Sequence, residues 1–265
     1  GGRMAAIVTT LFSLDAIAAS GQVFTWRRAK DGWLVASGER RCLLSQEGDA
    51  EKGVVFVRRA DGSDVNADEL AYWRHYLALD VDYEMILDEL AMPAEVMEVG
   101  VGIRVLAQDW WDTAVSFVVS QNSNIVRIQR TMDALLDAGG GCVPGPDQLA
   151  ELLGDEAFAA GLKLGYRRPY LEALAARAQA WHPARIDRRD VSLEESMAEL
   201  EESPGIGPKV ASCICLFGLG YLDAVPRDTW IKRAEREHHV AWNARWGGIQ
   251  QQFVFAWMRE KGRGK

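Results

Sequence analysis

Between residues 5 and 60 the apolar positions fall in short β-prone runs: Val23-Phe24-Thr25-Trp26, Trp33-Leu34-Val35-Ala36, Cys42-Leu43-Leu44 and Val54-Val55-Phe56-Val57. Lys30-Asp31-Gly32, Ser37-Gly38 and Gly48-Asp49 supply turns between them, and links this short suit an antiparallel meander. From about residue 66 the period becomes helical. Asn66-Ala67-Asp68-Glu69 reads as a capped start, with Leu70, Trp73 and Leu77 on one face. Residues 83–91 and 93–98 read as short helices split by Pro93, and after Gly102 the chain is helical almost to its end. The expected fold is α+β and mostly helical. An N-terminal antiparallel sheet with flanking helices (4–100) packs on an all-α region (101–265).

The helical region is organised around residues 200–217. Pro204-Gly205-Ile206-Gly207 is a tight turn between two helices, and Lys209 opens the second one, with Ala211, Ile214, Cys215 and Leu216 at helical spacing. N–H groups at a glycine turn feeding a helix form an anion site that fits a phosphate. Lys209 and Cys213 share one helix face, and Asp228 follows in a Pro-Arg-Asp turn. A lysine beside a phosphate-gripping turn, with a carboxylate nearby, suggests an amine nucleophile acting on nucleic acid; a solvated lysine at an ordinary helix start is the plainer reading.

A formal net charge of −8 argues at first against a nucleic-acid partner. The distribution changes that: acids crowd residues 80–98 and 187–202. Bases gather at Arg127 and Arg130, at Lys163, Arg167, Arg168 and Arg177, and at Lys232, Arg233 and Arg236. A local basic face is enough to hold phosphates. Cys42, Cys142, Cys213 and Cys215 have no metal-ligand spacing, which points to a reduced, cytoplasmic compartment. No signal peptide and no bilayer-spanning apolar run is read, and the Gly-Gly-Arg ahead of Met4 is set aside as an added segment.

Three further stretches carry open alternatives. Ser120-Gln121-Asn122-Ser123-Asn124 either caps helices or, with Arg127, reads base edges. Tyr166, flanked by Arg167 and Arg168 at a helix junction, either packs across a helix pair or wedges into a base stack. Gln251 and Phe255, four apart, either pack in the core or read the edge and face of a flat heterocycle.

Taken together, these pieces have a known counterpart. The stretch from Ser203 to Asp228 resembles the helix-hairpin-helix, Gly/Pro-rich loop and aspartate of one DNA glycosylase superfamily. SGQVFTW (20–26), GIRVLAQDWWDTAVSFVVSQNSNIVRI (102–128), LGYRRPYL (164–171) and GIQQQFVF near the C-terminus resemble its 8-oxoguanine branch, of bacterial type, over almost the whole chain. The resemblance implies a DNA glycosylase with apurinic/apyrimidinic lyase activity. It would take double-stranded DNA containing oxidised guanine as its partner, work as a monomer and require no cofactor. In this resemblance Lys209 is the amine that attacks C1′ and leaves a Schiff base, and Asp228 stabilises positive charge and moves protons. Gly21 would offer a backbone carbonyl to the N7 proton that distinguishes 8-oxoguanine from guanine. Gln251 would read the base edge, and Cys213 and Phe255 would sandwich its faces. Asn122, Arg127 and Arg167 would hold the orphaned cytosine, with Tyr166 as wedge; Gly205 and Gly207 would bind backbone phosphate.

There are departures from the family pattern. Ser123 replaces a third asparagine, Trp230 stands where eukaryotic members carry a phosphate-contacting histidine, and Pro208 precedes the lysine in place of threonine. The iron–sulfur cysteine pattern of other branches is absent, so no cluster is expected, and no residue is assigned to a metal. A monovalent or divalent ion often accompanies such hairpins. Two other functions fit parts of the pattern: a monofunctional alkylated-base glycosylase, which has no use for Lys209, and a non-enzymatic hairpin module that binds DNA.

Overall fold

The computed structural model describes residues 5–180 and 190–263. The N-terminal Gly-Gly-Arg and positions 187–189, the start of the stretch read as acidic, lie outside the described residues. Five strands, β1 (Ala5–Thr9), β2 (Trp26–Ala29), β3 (Gly32–Ser37), β4 (Arg40–Gly48) and β5 (Gly53–Arg59), form one antiparallel sheet in the order β1-β5-β4-β3-β2. β2 to β5 are the expected meander. β1 adds to its far edge, pairing Ala5 with Val57 and Thr9 with Gly53. Val23, Phe24 and Thr25 lie ahead of β2 rather than in it, and all three are buried.

A short helix, α1 (Leu14–Ala19), escaped the pattern reading because six residues are too few to show a period. Ser13 caps it by accepting from the Ala16 N–H, and Leu14 and Ile17 go into the core. Its end delivers Ser20 and Gly21 to the edge of the helical half. Next, α2 (Ala67–Tyr76) opens with the capping box expected at Asn66: Glu69 N–H donates to Asn66, and Asn66 N–H donates to Glu69 at 2.8 Å. Trp73, Tyr76 and Leu77 close the sheet's inner face over Val35, Leu44, Val55 and Val57.

The helices α3 (Tyr83–Leu90) and α4 (Ala94–Gly100), divided at Pro93, send Tyr83, Ile86, Leu87 and Val96 into the second, helical core. The remaining elements are α5 (Trp110–Ser120), α6 (Ile125–Ala138), α7 (Pro146–Gly154), α8 (Glu156–Gly161), α9 (Arg168–Ala180), α10 (Leu193–Glu201), α11 (Pro208–Gly218), α12 (Thr229–His238) and α13 (Gly247–Arg263). All eleven residues of α5 are buried, and it packs beside α11 at the centre. At the seam between the two cores lies Arg104, 5% exposed, with its guanidinium spent on the carbonyls of Thr10, Leu11, Ala78 and Val81. A buried cation so solvated by dipoles locks sheet and helices together.

Candidate active site and nucleic-acid interface

The hairpin is α10, the turn 202–207 and α11. Ser203 N–H donates to Leu200 O and Ile206 N–H to Ser203 O, drawing the chain back on itself. Gly205 has φ +84°, and a Cβ there would lie 2.2 Å from the ring of Tyr170 on α9. Its carbonyl accepts from Gln121 Nε2 at 2.7 Å, tying the turn to the end of α5. Gly205→Ala is therefore expected to cost about 2–4 kcal/mol, combining left-handed strain with overpacking. Thermal unfolding should show a drop of several degrees, and an unchanged midpoint would deny the turn its structural role. Gly207, exposed and in open space, is the N-cap residue of α11, with no side chain capping the helix. Pro208 lacks an N–H, so the first open donors are those of Lys209 and Val210, aligned with the helix dipole.

Lys209, half-buried, sits one turn before buried Cys213. Asp228 is the N-cap of α12, accepting from Ile231 N–H at 2.8 Å. Burial pushes its carboxyl above the usual carboxylate range, against the pull of that hydrogen bond and of the Lys209 charge. Burial also pushes the Cys213 thiol up to about 12, so it is a neutral, polarisable surface. Lys209 and Asp228 line a cavity of about 60 Å³ with Gly21, Cys213, Gln251 and Phe255. Its back wall is Phe117 stacked on Phe217 at 5.5 Å. Lys209, Asp228 and Phe255 also face a groove of about 1190 Å³ that runs past Gly207 to Asn122 and Arg127.

Six residues singled out from sequence thus meet in one cavity, and Gly207, Asn122 and Arg127 meet along the groove outside it. Gly21 has φ +79°, and a Cβ there would be 3.3 Å from the Phe255 ring, so glycine lets backbone and aromatic close up. Gly205 does not line the groove. Asn124 is the cap of α6, accepting from Arg127 N–H, whereas Asn122, at φ +47°, donates to Tyr166 Oη at 2.9 Å. The polar cluster thus divides its work, with one amide capping and another presented at the surface. Tyr166 is 49% exposed. Arg167 is buried, donating to the carbonyls of Gln121, Asn122 and Leu164 while its guanidinium stacks 4.9 Å from the Tyr166 ring. Its visible work is to hold the 121–122 backbone and the wedge ring.

Pattern reading missed a relay of buried amides behind the cavity. Gln22 Nε2 reaches Gln252 Oε1 at 3.4 Å, Gln252 Nε2 donates to Gln251 Oε1, and Gln251 Nε2 donates to Pro226 O. Gln22 also accepts from Leu106 N–H and donates to Arg104 O, so the segment ahead of β2, the seam and α13 fix the orientation of Gln251. A glutamine among β-prone residues gives no signal of such a role. Arg259 was legible in principle: it is four residues after Phe255, lies 5.3 Å from that ring and donates to Ala19 O. The described residues contain no group of three or more His, Cys, Asp and Glu able to hold a metal. Ser203 Oγ is buried without a partner among the described residues, and an oxygen in that turn suits a hard cation.

Residues 5–114 match the family described as 8-oxoguanine DNA glycosylase, N-terminal domain. The N-glycosylase/DNA lyase of Saccharomyces cerevisiae is 29% identical over 256 residues, spanning 84% of this chain and 68% of that one. Along its length the chain is similar to 8-oxoguanine DNA glycosylases of the helix-hairpin-helix superfamily. The structure of MBOgg1 in complex with a low-affinity DNA ligand superposes with a TM-score of 0.82, at 26% identity, over 99% of this glycosylase and 98% of that chain. The Clostridium acetobutylicum 8-oxoguanine glycosylase/lyase, solved with double-stranded DNA containing cytosine opposite 8-oxoguanine, shares the fold. Its TM-score is 0.79 at 24% identity, over 98% of this chain and 99% of that one. Like those folds, this glycosylase joins an antiparallel sheet to a helical body. No helix among its described residues is long and apolar enough to cross a membrane.

Proposed function

We propose that this glycosylase flips 8-oxoguanine out of duplex DNA, excises it by a lysine Schiff base, and then cleaves the strand by β-elimination. The observation that carries the reading is the meeting of an amine, a carboxylate, an amide, a thiol, a backbone turn and an aromatic ring in one cavity beside an open helix N-terminus. In the first step Lys209 gives up a proton and its amine attacks C1′, and the C1′–N9 electrons leave with the base, which takes up a proton. Asp228 offsets the positive charge developing on the sugar and accepts and returns protons. Opening of the sugar leaves a C1′=N iminium. Loss of a C2′ proton then expels the 3′ phosphate, and the strand is cut.

Recognition follows from the same walls. The Gly21 carbonyl accepts from the lesion's N7–H and repels guanine's N7 lone pair. Gln251, oriented by Gln252 and Pro226, reads the base edge, and Cys213 and Phe255 cover its faces. The cavity of about 60 Å³ is far below the roughly 300 Å³ of ordinary ligand sites. Phe255, half-buried between Gly21 and Arg259, is the wall that swings to admit the base. The open N–H groups of Lys209 and Val210, beside Gly207, take a backbone phosphate, and an ion at the turn, held by oxygens such as Ser203 Oγ, would neutralise charge there.

On the other strand Asn122 and Arg127 face the orphaned cytosine, Tyr166 fills the gap, and Arg167 positions them. Arg167→Ala should therefore narrow the rate gap between cytosine and adenine opposite the lesion; an unchanged gap removes Arg167 from opposite-base selection. The reading as a whole is tested by single-turnover release from matched duplexes. 8-Oxoguanine opposite cytosine should be excised with strand scission, and guanine left intact. Release of an alkylated base without scission would favour the monofunctional reading, and equal binding of damaged and normal duplexes by the Lys209→Gln variant would favour a binding module.

A further inference from the structure

Behind the wedge lies a second cavity, of about 240 Å³, between α6 and the loop that leads to Tyr166. It adjoins the groove through Ser123 and Arg127, and Arg167, stacked on the wedge ring, lines it while Lys209 does not. Its walls carry four cations, Arg127, Arg130, Lys163 and Arg167, and no carboxylate. In a chain of net charge −8 that is a segregated patch.

The contrast with six other arginines sharpens it. Arg27, Arg28, Arg59, Arg168, Arg177 and Arg227 each hold an aspartate or glutamate within 3.2 Å. Arg130 and Lys163 are exposed, and neither forms an ion pair with a carboxylate among the described residues. Lys163 is held at φ +53°, in the loop just ahead of Tyr166, and Arg130 is one turn beyond Arg127 on α6. Ser123 and Thr131 add hydroxyls to the walls of the cavity. Cations and hydroxyls around a concavity, with acids excluded, match the chemistry of a phosphodiester oxygen.

We propose that Arg130 and Lys163 form a second phosphate site, which holds the backbone of the strand opposite the lesion. This rests on the glycosylase reading above, since it takes the wedge as the divide between strands. The hairpin grips one strand, Arg130 and Lys163 grip the other, and the duplex is held on both sides of Tyr166 while the base is extruded. The contact is to backbone, so it contributes affinity without sequence or lesion preference.

The test uses the full chain carrying Lys209→Gln, with or without Arg130→Gln and Lys163→Gln, and a duplex containing 8-oxoguanine opposite cytosine. Binding is measured against salt concentration. Losing two phosphate contacts should reduce the slope of log affinity on log salt by about 1–2, equally for damaged and undamaged duplexes. Neutral methylphosphonates are then placed one at a time in the strand opposite the lesion. One or two positions should weaken the parent but not the Arg130/Lys163 variant. An unchanged slope, or a variant that stays as sensitive as its parent, overturns the site; sensitivity confined to the lesion strand overturns the strand assignment. If the otherwise native chain shows no lesion excision while the slope still falls, the phosphate site stands and the glycosylase reading fails.

Discussion

Lys209→Gln is expected to lower base release and strand cleavage by about 10³-fold or more, while leaving affinity for lesion-containing duplex within a few-fold of the parent. Glutamine keeps much of the side chain's length but cannot form an iminium. It also leaves the cavity's other walls, Cys213, Gln251 and Phe255, in place. The separation of binding from chemistry is the informative part. Loss of both would point to a structural role for Lys209 at the start of α11, and retention of cleavage would move the nucleophile elsewhere. Single-turnover rates beside equilibrium binding distinguish the three.

Asp228→Asn is expected to slow base release by about 10²–10⁴-fold, and the fold should survive it. Asparagine is as good an N-cap as aspartate, so the bond from Ile231 N–H is kept while the charge is lost. The pH profile carries the sharper signature. Burial raises the Asp228 carboxyl, so the ionised form needed to face a cationic sugar accumulates only above the usual carboxylate range. The native rate should climb with pH through that raised value, and the asparagine variant should lose the limb. Stability runs the other way. With the folded-state pKa above the unfolded one, the native state holds its proton more tightly, so this group's contribution falls as pH rises from the unfolded to the folded value. Above that window the variant should be the more stable protein, at the expense of activity. A native rate flat with pH across that window would mean that Asp228 is not the titrating group.

Much of this was legible in the sequence, for identifiable reasons. Asn66 and Glu69, Pro93, and the Gly205–Lys209 turn are local chemistry, and local chemistry can be read without coordinates. Lys209 with Cys213, and Gln251 with Phe255, were readable as pairs because helices put residues four apart on one face. Joining the two pairs to Gly21 needed the resemblance, since they come from distant parts of the chain. The missing pieces depend on packing between elements. α1 is too short for periodicity, and β1 is defined by its partner β5. The relay from Gln22 to Pro226 crosses two hundred residues of sequence, and no spacing rule links its members. Arg167 is a different case: the resemblance implies a base reader, and burial, which no sequence pattern showed, turns its guanidinium onto three carbonyls beside Asn122 and Tyr166.

A lysine Schiff base requires that the amine of Lys209 become covalently joined to the damaged sugar. Borohydride reduction during turnover on a duplex with one 8-oxoguanine opposite cytosine, followed by peptide mapping, tests it directly. A single protein–DNA adduct is expected, located on the peptide that contains Lys209 and absent with guanine in place of the lesion. No adduct, or an adduct on another amine, would contradict it.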